Sequence, residues 1–457
     1  MKPSRIPSRY EPPDSAVESN ASAPGAAGQD AVPTPDDEDR ARRFQDYDYS
    51  NFYSGTGNDP FDMLEPFDAW WQWARPAGYY QFGLPMRTAP GTRVDVDETK
   101  NHTTLKGLVN LASYNYLGLS YRPEVIEASV DAVRRYGLGA SGSPILSGNL
   151  DLHERLRENL ARFKAKEEVL LFPSGYAANL GLIAGLMRAG DLVVADQYSH
   201  TSIIDGIILS RAKARFFRHN DADDLDRKLG RADGKKLVVV EGVYSMDGDL
   251  ARLPEIVEVA RKHGARILID EAHSGFLFGE NGRGVAEHFG LDDEVDIHLG
   301  TFSKSLGGMG GFVAGSTQLI NYLRGFARSR VFSCAIAPGV VAGLDRALDI
   351  ARAEPELRFV LHDNADFLRN RLRDAGVDVG LSESQVIPIL IRDDERIFSI
   401  VEDLLHEGVY LNPVRYPAVG KHRSRVRISV SAAHTRAELA EAADVITHVL
   451  RRYGLCN

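Results

Sequence analysis

Short apolar runs recur along the middle of the chain, and stretches with helical spacing of apolar residues separate them. The runs are "EEVLLF", "DLVVAD", "KLVVVEGV", "ARILID" and "DIHLG", and "LPEIVEVARKHG" is typical of the stretches between them. Strands that alternate with helices predict a largely parallel sheet that helices cover on both faces. We therefore expect an α/β protein with a large domain over residues 107–345.

The pattern changes towards both ends of the chain. Residues 1–41 are rich in Pro, Ser, Ala, Gly and Asp, and such a segment predicts a disordered tail. Residues 42–106 form an aromatic-rich N-terminal extension with "FDAWWQWARPAGYYQFGLPM", in which we expect a helix and a loop packed on the main body. Helices with a few strands ("VIPILI", "GVYLNP", "RVRISVS") predict a small C-terminal α+β domain over residues 346–457.

Composition narrows the class of protein. The 457 residues carry a formal net charge of -10, which argues against nucleic acid as a partner because phosphate binding needs a basic face. Two cysteines provide neither a disulfide framework nor a Cys-based metal site, so we expect no metal and a cytoplasmic location. Since no apolar run approaches the length of a membrane span, we expect no transmembrane segment.

Polar residues follow five of the predicted strands. Ligands of parallel sheets bind beyond the carboxyl ends of the strands, so these side chains are expected to meet at one edge. The first group opens a helix, whose N–H groups and dipole favour an anion. In chain order the residues are Gly175 and Tyr176, then His200, then Ser245, then Asp270 and His273, and finally Thr301, Ser303 and Lys304.

These residue types match the needs of pyridoxal 5'-phosphate (PLP). The cofactor needs a lysine for a Schiff base, donors for its phosphate and a carboxylate that keeps the ring nitrogen protonated. Lys304 is the predicted Schiff-base lysine and Asp270 the partner of the ring nitrogen, while His200 stacks on the ring and His273 contacts its hydroxyl. The string "DEAH" at 270–273 is also a helicase signature, but that chemistry requires a phosphate loop that the sequence lacks.

Residues 105–452 resemble the α-oxoamine synthases, PLP enzymes of fold type I, and most closely their bacterial serine palmitoyltransferase branch. The blocks that carry the resemblance are "SYNYLGLS", "GASGSPILSGN", "FPSGYAANLGLI", "EGVYSMDGD", "DEAHSGFLFGENGRG", "GTFSKSLGGMGGFVAGS" and "RVRISVSAAHT". The resemblance implies a PLP-dependent C-acyltransferase that condenses an amino acid with an acyl thioester and releases carbon dioxide. It also implies a mainly parallel, seven-stranded sheet in the large domain.

The resemblance further implies individual roles. Arg427 would bind the amino acid carboxylate, although Arg425 lies on the same strand and would share its face. Ser333 would reach the cofactor of a partner subunit, so a homodimer with shared active sites is expected. Ser245 would lie close to the ring hydroxyl, and Gly175, Tyr176, Thr301 and Ser303 would surround the cofactor mainly at its phosphate.

The substrates follow from the same resemblance. Tyr114, a predicted substrate-binding residue, and Tyr176 match the serine palmitoyltransferase branch, so L-serine with a palmitoyl-CoA-like thioester is the expected pair. The products would be a 3-keto amino alcohol, carbon dioxide and the free thiol. An enzyme that uses alanine or glycine, with coenzyme A or an acyl-carrier protein as the acyl carrier, is the alternative. A non-catalytic homologue is the third possibility, and the presence of Lys304 argues against it.

Overall fold

The structure is a computed structural model that describes residues 44, 47–53, 55, 57–78, 82–98, 101, 103–230 and 234–457. Residues 47–457 form one compact unit. The predicted tail over residues 1–41 lies outside the described residues. The predicted domain boundaries at 106/107 and 345/346 stay predictions.

A seven-stranded sheet forms the centre of this unit, as expected. Its strand order is β3–β9–β8–β7–β6–β4–β5, and β9 alone runs antiparallel to its neighbours. Each of the five apolar runs is a strand, and two further strands complete the sheet. The strands are β3 Glu168–Phe172, β4 Leu192–Asp196, β5 Lys213–Phe217, β6 Lys236–Glu241, β7 Arg266–Asp270, β8 Ile297–Thr301 and β9 Gly311–Gly315.

Two smaller sheets flank the large one. The first has the order β1–β2–β11 and joins an N-terminal hairpin to a strand from the C-terminal region, and the second has the order β10–β13–β12. The three strands predicted after residue 345 are all present, and "GVYLNP" divides into two. The strands are β1 Arg93–Asp97, β2 Thr104–Asn110, β10 Val386–Leu390, β11 Val409–Tyr410, β12 Asn412–Val414 and β13 Arg425–Ser429.

Helices cover both faces of the large sheet. The predicted helix of the N-terminal extension is Leu64–Ala74, and short 3₁₀ turns lie at Tyr49–Phe52 and Leu119–Tyr121. The remaining α-helices are Pro123–Tyr136, Asp151–Lys164, Gly175–Leu186, Thr201–Ser210, Ala222–Leu229, Leu253–Lys262, Val285–His288, Thr317–Phe326, Arg328–Val331, Pro338–Ala353, Glu356–Asp374, Ile397–His406 and Arg436–Arg452.

The central strands are buried on both faces, which explains their continuous apolar sequences. Every residue of β4, β8 and β9 is buried, as is typical of a sheet that helices cover on both sides. Strand β5, "KARFF", was not predicted because it lies at the sheet edge and carries the exposed Lys213 and the half-buried Arg215. Strand β9 was not predicted because glycines begin and end it. Among the described residues, no helix is long and apolar enough to cross a membrane.

Candidate active site

The carboxyl ends of the parallel strands surround a cavity of about 230 Å³. Eight of the residues predicted from the sequence line it, together with six that were not predicted. The predicted ones are Gly175, Tyr176, His200, Asp270, His273, Thr301, Ser303 and Lys304. The others are Ser174, Asn179, Ser202, Glu241, Ala272 and Leu299.

Lys304 lies in the tight connection between β8 and β9. Phe302 N–H donates to the Gly310 carbonyl at 3.0 Å, and Gly310 has a φ of 125°, which a residue with a side chain rarely adopts. The glycines that follow Lys304 therefore close a sharp turn. The lysine itself is half-buried, and loss of solvation lowers its pKa although Asp270 and Glu241 act in the opposite direction.

Asp270 ends β7 and is buried, and two neighbours fix its orientation. One carboxylate oxygen accepts from Asn179 Nδ2 at 2.8 Å, and the other accepts from the Ala272 N–H at 2.9 Å. Asn179 also donates to Ser202 Oγ at 2.9 Å. A buried carboxylate that accepts from two fixed donors is held in one orientation towards the cavity that it lines.

His200 caps the helix Thr201–Ser210 and is exposed at the cavity. Its Nδ1 lies 2.8 Å from Ser202 Oγ, and its backbone N–H donates to Glu241 Oε1. Although the ring is exposed, the surrounding walls remove enough water to lower its pKa. Glu241 is buried at the end of β6, and burial followed by the charge of Asp270 raises its pKa well above the ordinary value.

His273 is buried one turn beyond the end of β7. Its Nδ1 lies 2.7 Å from the hydroxyl of Tyr116, and its backbone carbonyl accepts from Gln385 Nε2 at 2.8 Å. Burial lowers the pKa of His273 well below the ordinary value, and the positive charges of Lys304 and Arg427 act in the same direction. The imidazole is therefore neutral at physiological pH and acts as a hydrogen-bonding group.

The other end of the cavity is shaped for an anion. The helix Gly175–Leu186 begins there, and its first N–H groups have no partner within the helix. A Cβ on Gly175 would lie 2.9 Å from Cβ of Thr301, so only glycine allows the helix to approach β8 this closely. The hydroxyls of Thr301 and Ser303 lie 2.7 Å apart. The Tyr176 hydroxyl donates to Asp205 and so is directed at that carboxylate.

The structure separates Arg425 from Arg427, which the sequence left ambiguous. Arg425 is buried and donates to Asp247 Oδ1 at 2.6 Å and to the Met246 carbonyl at 2.9 Å. Arg427 is also buried, but among the described residues it forms no ion pair with an acidic side chain. Its guanidinium lies 4.8 Å from the ring centre of Tyr114 and donates to the Tyr114 hydroxyl.

Tyr114 connects Arg427 with the lysine. Lys304 Nζ lies 5.9 Å from the centre of the Tyr114 ring, and the ring of His273 lies 6.3 Å from it, edge to face. Arg427 also donates to the Ser245 carbonyl at 3.3 Å. Neither Ser245 nor Ser333 lines the cavity, and Ser333 is half-buried in a different part of the chain.

Asn179, Ser202 and Glu241 are three of the four polar cavity residues that sequence reasoning missed, and Ser174 is the fourth. Glu241 is the last residue of β6, so the rule that identified Asp270 at the end of β7 would have identified it too. Ser202 follows His200 by two positions and could have been found as part of the same cap. Asn179 lies one turn inside its helix, and nothing in the local sequence signals that it reaches Asp270.

Comparison with known proteins agrees with this geometry. Residues 106–446 match the family described as aminotransferase class I and II. The chain is 41% identical to serine palmitoyltransferase of Sphingobacterium spiritivorum over 82% of this chain and 93% of that one. It is 39% identical to 8-amino-7-oxononanoate synthase of Thermoanaerobacter pseudethanolicus over 80% of this chain and 92% of that one.

The chain belongs to the class I and II aminotransferase family. Both relatives are α-oxoamine synthases, so the resemblance predicted from the sequence is confirmed. A solved serine palmitoyltransferase of Sphingomonas wittichii superposes with a TM-score of 0.83 at 34% identity, over 87% of this chain and 100% of that one. The predicted fold type I architecture is therefore confirmed.

A further solved serine palmitoyltransferase holds PLP as an internal aldimine. It matches with a TM-score of 0.82 and 35% identity over 87% of this chain and all of that one. The family is PLP-dependent, in agreement with the cofactor predicted from the residues. The two named relatives carry out decarboxylative condensations.

Proposed function

We propose that this chain is a PLP-dependent C-acyltransferase that condenses L-serine with a long-chain acyl thioester. The products would be a 3-keto amino alcohol, carbon dioxide and the free thiol. The observation that carries the proposal is the shared cavity of Lys304, Asp270, His200 and His273, next to Arg427, a buried arginine without an acidic partner among the described residues.

The residues present fit the cofactor. Asp270 would hold the ring nitrogen, the exposed ring of His200 would stack on the pyridine, and neutral His273 would contact the ring hydroxyl. The helix that begins at Gly175, with Thr301 and Ser303, would hold the phosphate. When bound, PLP supplies an electron sink for the negative charge that develops at the α-carbon of the amino acid.

Lys304 would bind the cofactor in the resting enzyme and act as the base once the amino acid has displaced it. The lowered pKa increases the fraction of neutral amine near neutral pH, and a neutral amine is the form that takes a proton. Asp270 and Glu241 lie close enough to oppose this shift, so the protonated form is stabilised in turn. The side chain is therefore suited to accept and return the α-proton.

Arg427 would bind the carboxylate of the amino acid. Its planar guanidinium stays charged and can form two parallel hydrogen bonds to a carboxylate. Tyr114 accepts a hydrogen bond from it and so orients the group that would hold the substrate. A fixed carboxylate is also the group that leaves as carbon dioxide, so the same arginine would determine which bond breaks.

We also propose a homodimer in which Ser333 reaches the partner's cofactor. Support comes from an exposed apolar surface near Ser333. Ser143 Oγ donates to the Val331 carbonyl at 2.6 Å and so joins two segments that expose Leu146 and Phe332, 80% and 79% accessible. Exposed apolar patches mark interaction surfaces, so we assign Leu146 and Phe332 to the proposed dimer interface. Light scattering of Leu146→Glu should give a monomer where the unaltered chain gives a dimer; a dimer in both would contradict the proposed interface.

A cytoplasmic location stays a prediction.

Absorbance spectra of the purified protein with PLP test the main proposal. Titration with serine, alanine and glycine in turn should change the visible band, and serine should do so at the lowest concentration. A response led by alanine or glycine would retain the reaction class and replace the amino substrate. A protein that takes up no PLP would contradict the cofactor assignment and every role given to Lys304.

A further inference from the structure

A second cavity, of about 240 Å³, lies between the N-terminal extension and the C-terminal region, and no residue of the active-site cavity lines it. Its walls are mostly apolar or aromatic. Six of the residues that line it are Tyr49, Trp70, Phe82, Met246, Phe398 and Ala418. The extension precedes the residues that match the family, so one wall of this cavity lies outside the family match.

The aromatic residues of the extension form a rigid wall. Trp70 lies on the helix Leu64–Ala74, and its ring centre is 5.9 Å from that of Tyr49 and 5.7 Å from that of Phe67. Phe52 packs edge to face on Phe67 at 5.2 Å. Such pairs stabilise one arrangement of the rings beyond the area that they bury. The shape of this wall is therefore well defined.

Arg415 connects the extension to the opposite wall. Its guanidinium donates to the Tyr47 carbonyl at 3.1 Å and lies 5.3 Å from the ring centre of Phe398. Burial lowers the pKa of Arg415, and Asp48 lies close enough to act in the opposite direction. The charged groups at the cavity thus interact with one another and with the backbone, while the remaining wall is suited to an uncharged ligand.

Met246 and strand β12 join this cavity to the active site. Met246 lines the cavity, and its sulfur lies 3.7 Å from Nη1 of Arg427. Strand β12 supplies Pro413 and Val414 to the cavity and pairs directly with β13, where Asn412 lies opposite Arg427. Met246 and Asn412 thus place the apolar cavity next to Arg427, the predicted carboxylate-binding residue.

We propose that this cavity binds the alkyl chain of the acyl thioester and that Trp70 limits the length of the chain. The inference rests on the proposed function, because it requires an acyl thioester as the second substrate. Each methylene that enters an apolar cavity should lower KM by about fourfold, since burying one contributes roughly 0.8 kcal/mol. KM should therefore fall along a series from octanoyl-CoA upwards and level off when the cavity is full.

Two variants and one control test the proposal on the full-length holoenzyme. In Trp70→Ala, KM should continue to fall for acyl chains longer than those at which it levels off in the unaltered enzyme. Ala418→Trp, at an exposed residue that lines the cavity, should raise KM for palmitoyl-CoA by at least tenfold and change KM for octanoyl-CoA much less. Trp71→Ala removes a neighbouring ring that does not line the cavity, so its chain-length profile should match that of the unaltered enzyme.

Binding of a non-reactive palmitoyl-CoA thioether, measured by calorimetry, provides a readout that does not depend on turnover. Ala418→Trp should weaken this binding while the serine-induced absorbance change persists. Identical chain-length profiles and thioether affinities in the unaltered enzyme, Trp70→Ala and Ala418→Trp would overturn the cavity assignment alone. Absence of any absorbance change with amino acids would instead contradict the proposed function.

Discussion

Two histidines lie at the carboxyl edge of the same sheet, and their surroundings shift their pKa values in opposite directions. His219 lies between two carboxylates, with Nδ1 3.1 Å from Asp196 Oδ1 and Nε2 2.8 Å from Asp249 Oδ2. Burial alone would lower its pKa, but these two partners raise it to about 9. His273, in the active-site cavity, has the hydroxyl of Tyr116 as its partner and no carboxylate partner in the part of the chain that the structure describes, and its pKa falls well below the ordinary value.

The difference extends to the groups around each histidine. Tyr198 stacks on His219 at 4.3 Å and Tyr244 packs edge to face at 4.5 Å, so the ion pairs lie within packed aromatic rings. In the cavity, desolvation shifts Lys304 and Glu241 towards their neutral forms. The His219 cluster is thus arranged to stabilise the fold, whereas the cavity keeps reactive groups in states that cost stability.

Lys304→Ala should show most clearly that the active-site cavity contributes to activity and not, like the His219 cluster, to stability. Condensation should fall by about 1,000-fold or more, because the base and the cofactor attachment are lost together. Thermal stability should not fall, since burial disfavours the charge that is removed. The measurements are the steady-state rate and the melting temperature. Lys213→Ala, at an exposed residue of the edge strand β5, is the control and should change neither.

Arg427 and Arg425 allow the same comparison, between a group expected to bind substrate and a group that stabilises the fold, within one strand. Arg427→Lys should raise KM for the amino acid by about tenfold to a hundredfold, because a charged hydrogen bond contributes roughly 1.5–3 kcal/mol. Arg425→Lys should instead lower the free energy of unfolding by about 1–3 kcal/mol, since it disturbs the buried contact with Asp247. Equal effects of both variants on KM would mean that the two roles are not separate.

His219→Gln should lower the free energy of unfolding by about 2 kcal/mol near neutral pH. The folded pKa of about 9 lies above the ordinary 6.5, so the stabilisation is fully present below pH 6.5 and is lost as pH rises through 9. Urea denaturation at about pH 6 and about pH 10 measures this dependence. A variant that is equally destabilised at both values would show that packing, and not charge, is what the histidine contributes.

Glu241→Gln should have the smallest effect. Burial and the charge of Asp270 raise the pKa of Glu241 and so favour its neutral form, and glutamine has the shape of that neutral acid while its oxygen can still accept from the His200 N–H. Activity should stay within about threefold. Ionisation of the native acid costs stability as pH rises from its ordinary pKa to the raised one, so the variant should lack this decline. A large loss of activity would identify Glu241 as a charged participant in the reaction.

Much of the active-site cavity could be predicted because the ends of buried strands can be recognised in the amino-acid sequence. An apolar run followed by a polar residue marks the carboxyl end of a buried strand, and in a parallel sheet these ends share one edge. His200, Asp270, His273 and Lys304 were found in this way, and the structure brings all four to one cavity. Strands β5 and β9 were not found, because a charged edge strand and a glycine-bounded strand lack the apolar signal.

Other features depended on contacts between distant parts of the chain. The sequence does not reveal that Asp247 pairs with Arg425, because the two residues are 178 positions apart, or that Arg427 has no acidic partner among the described residues. It also does not reveal that Asn179 orients Asp270, or that the extension forms a cavity with β12 and Met246.

The amino-acid sequence by itself determined five of the seven strands of the large sheet and the residue types at their carboxyl ends, because hydrophobic periodicity and strand ends are local properties. Only the tertiary structure decided which of two equivalent arginines pairs with a carboxylate and which histidine lies between two carboxylates. The physical reason is that a side chain's pKa and pairing depend on burial and on its nearest charges. In this chain those neighbours come from strands, helices and loops that are far apart in sequence.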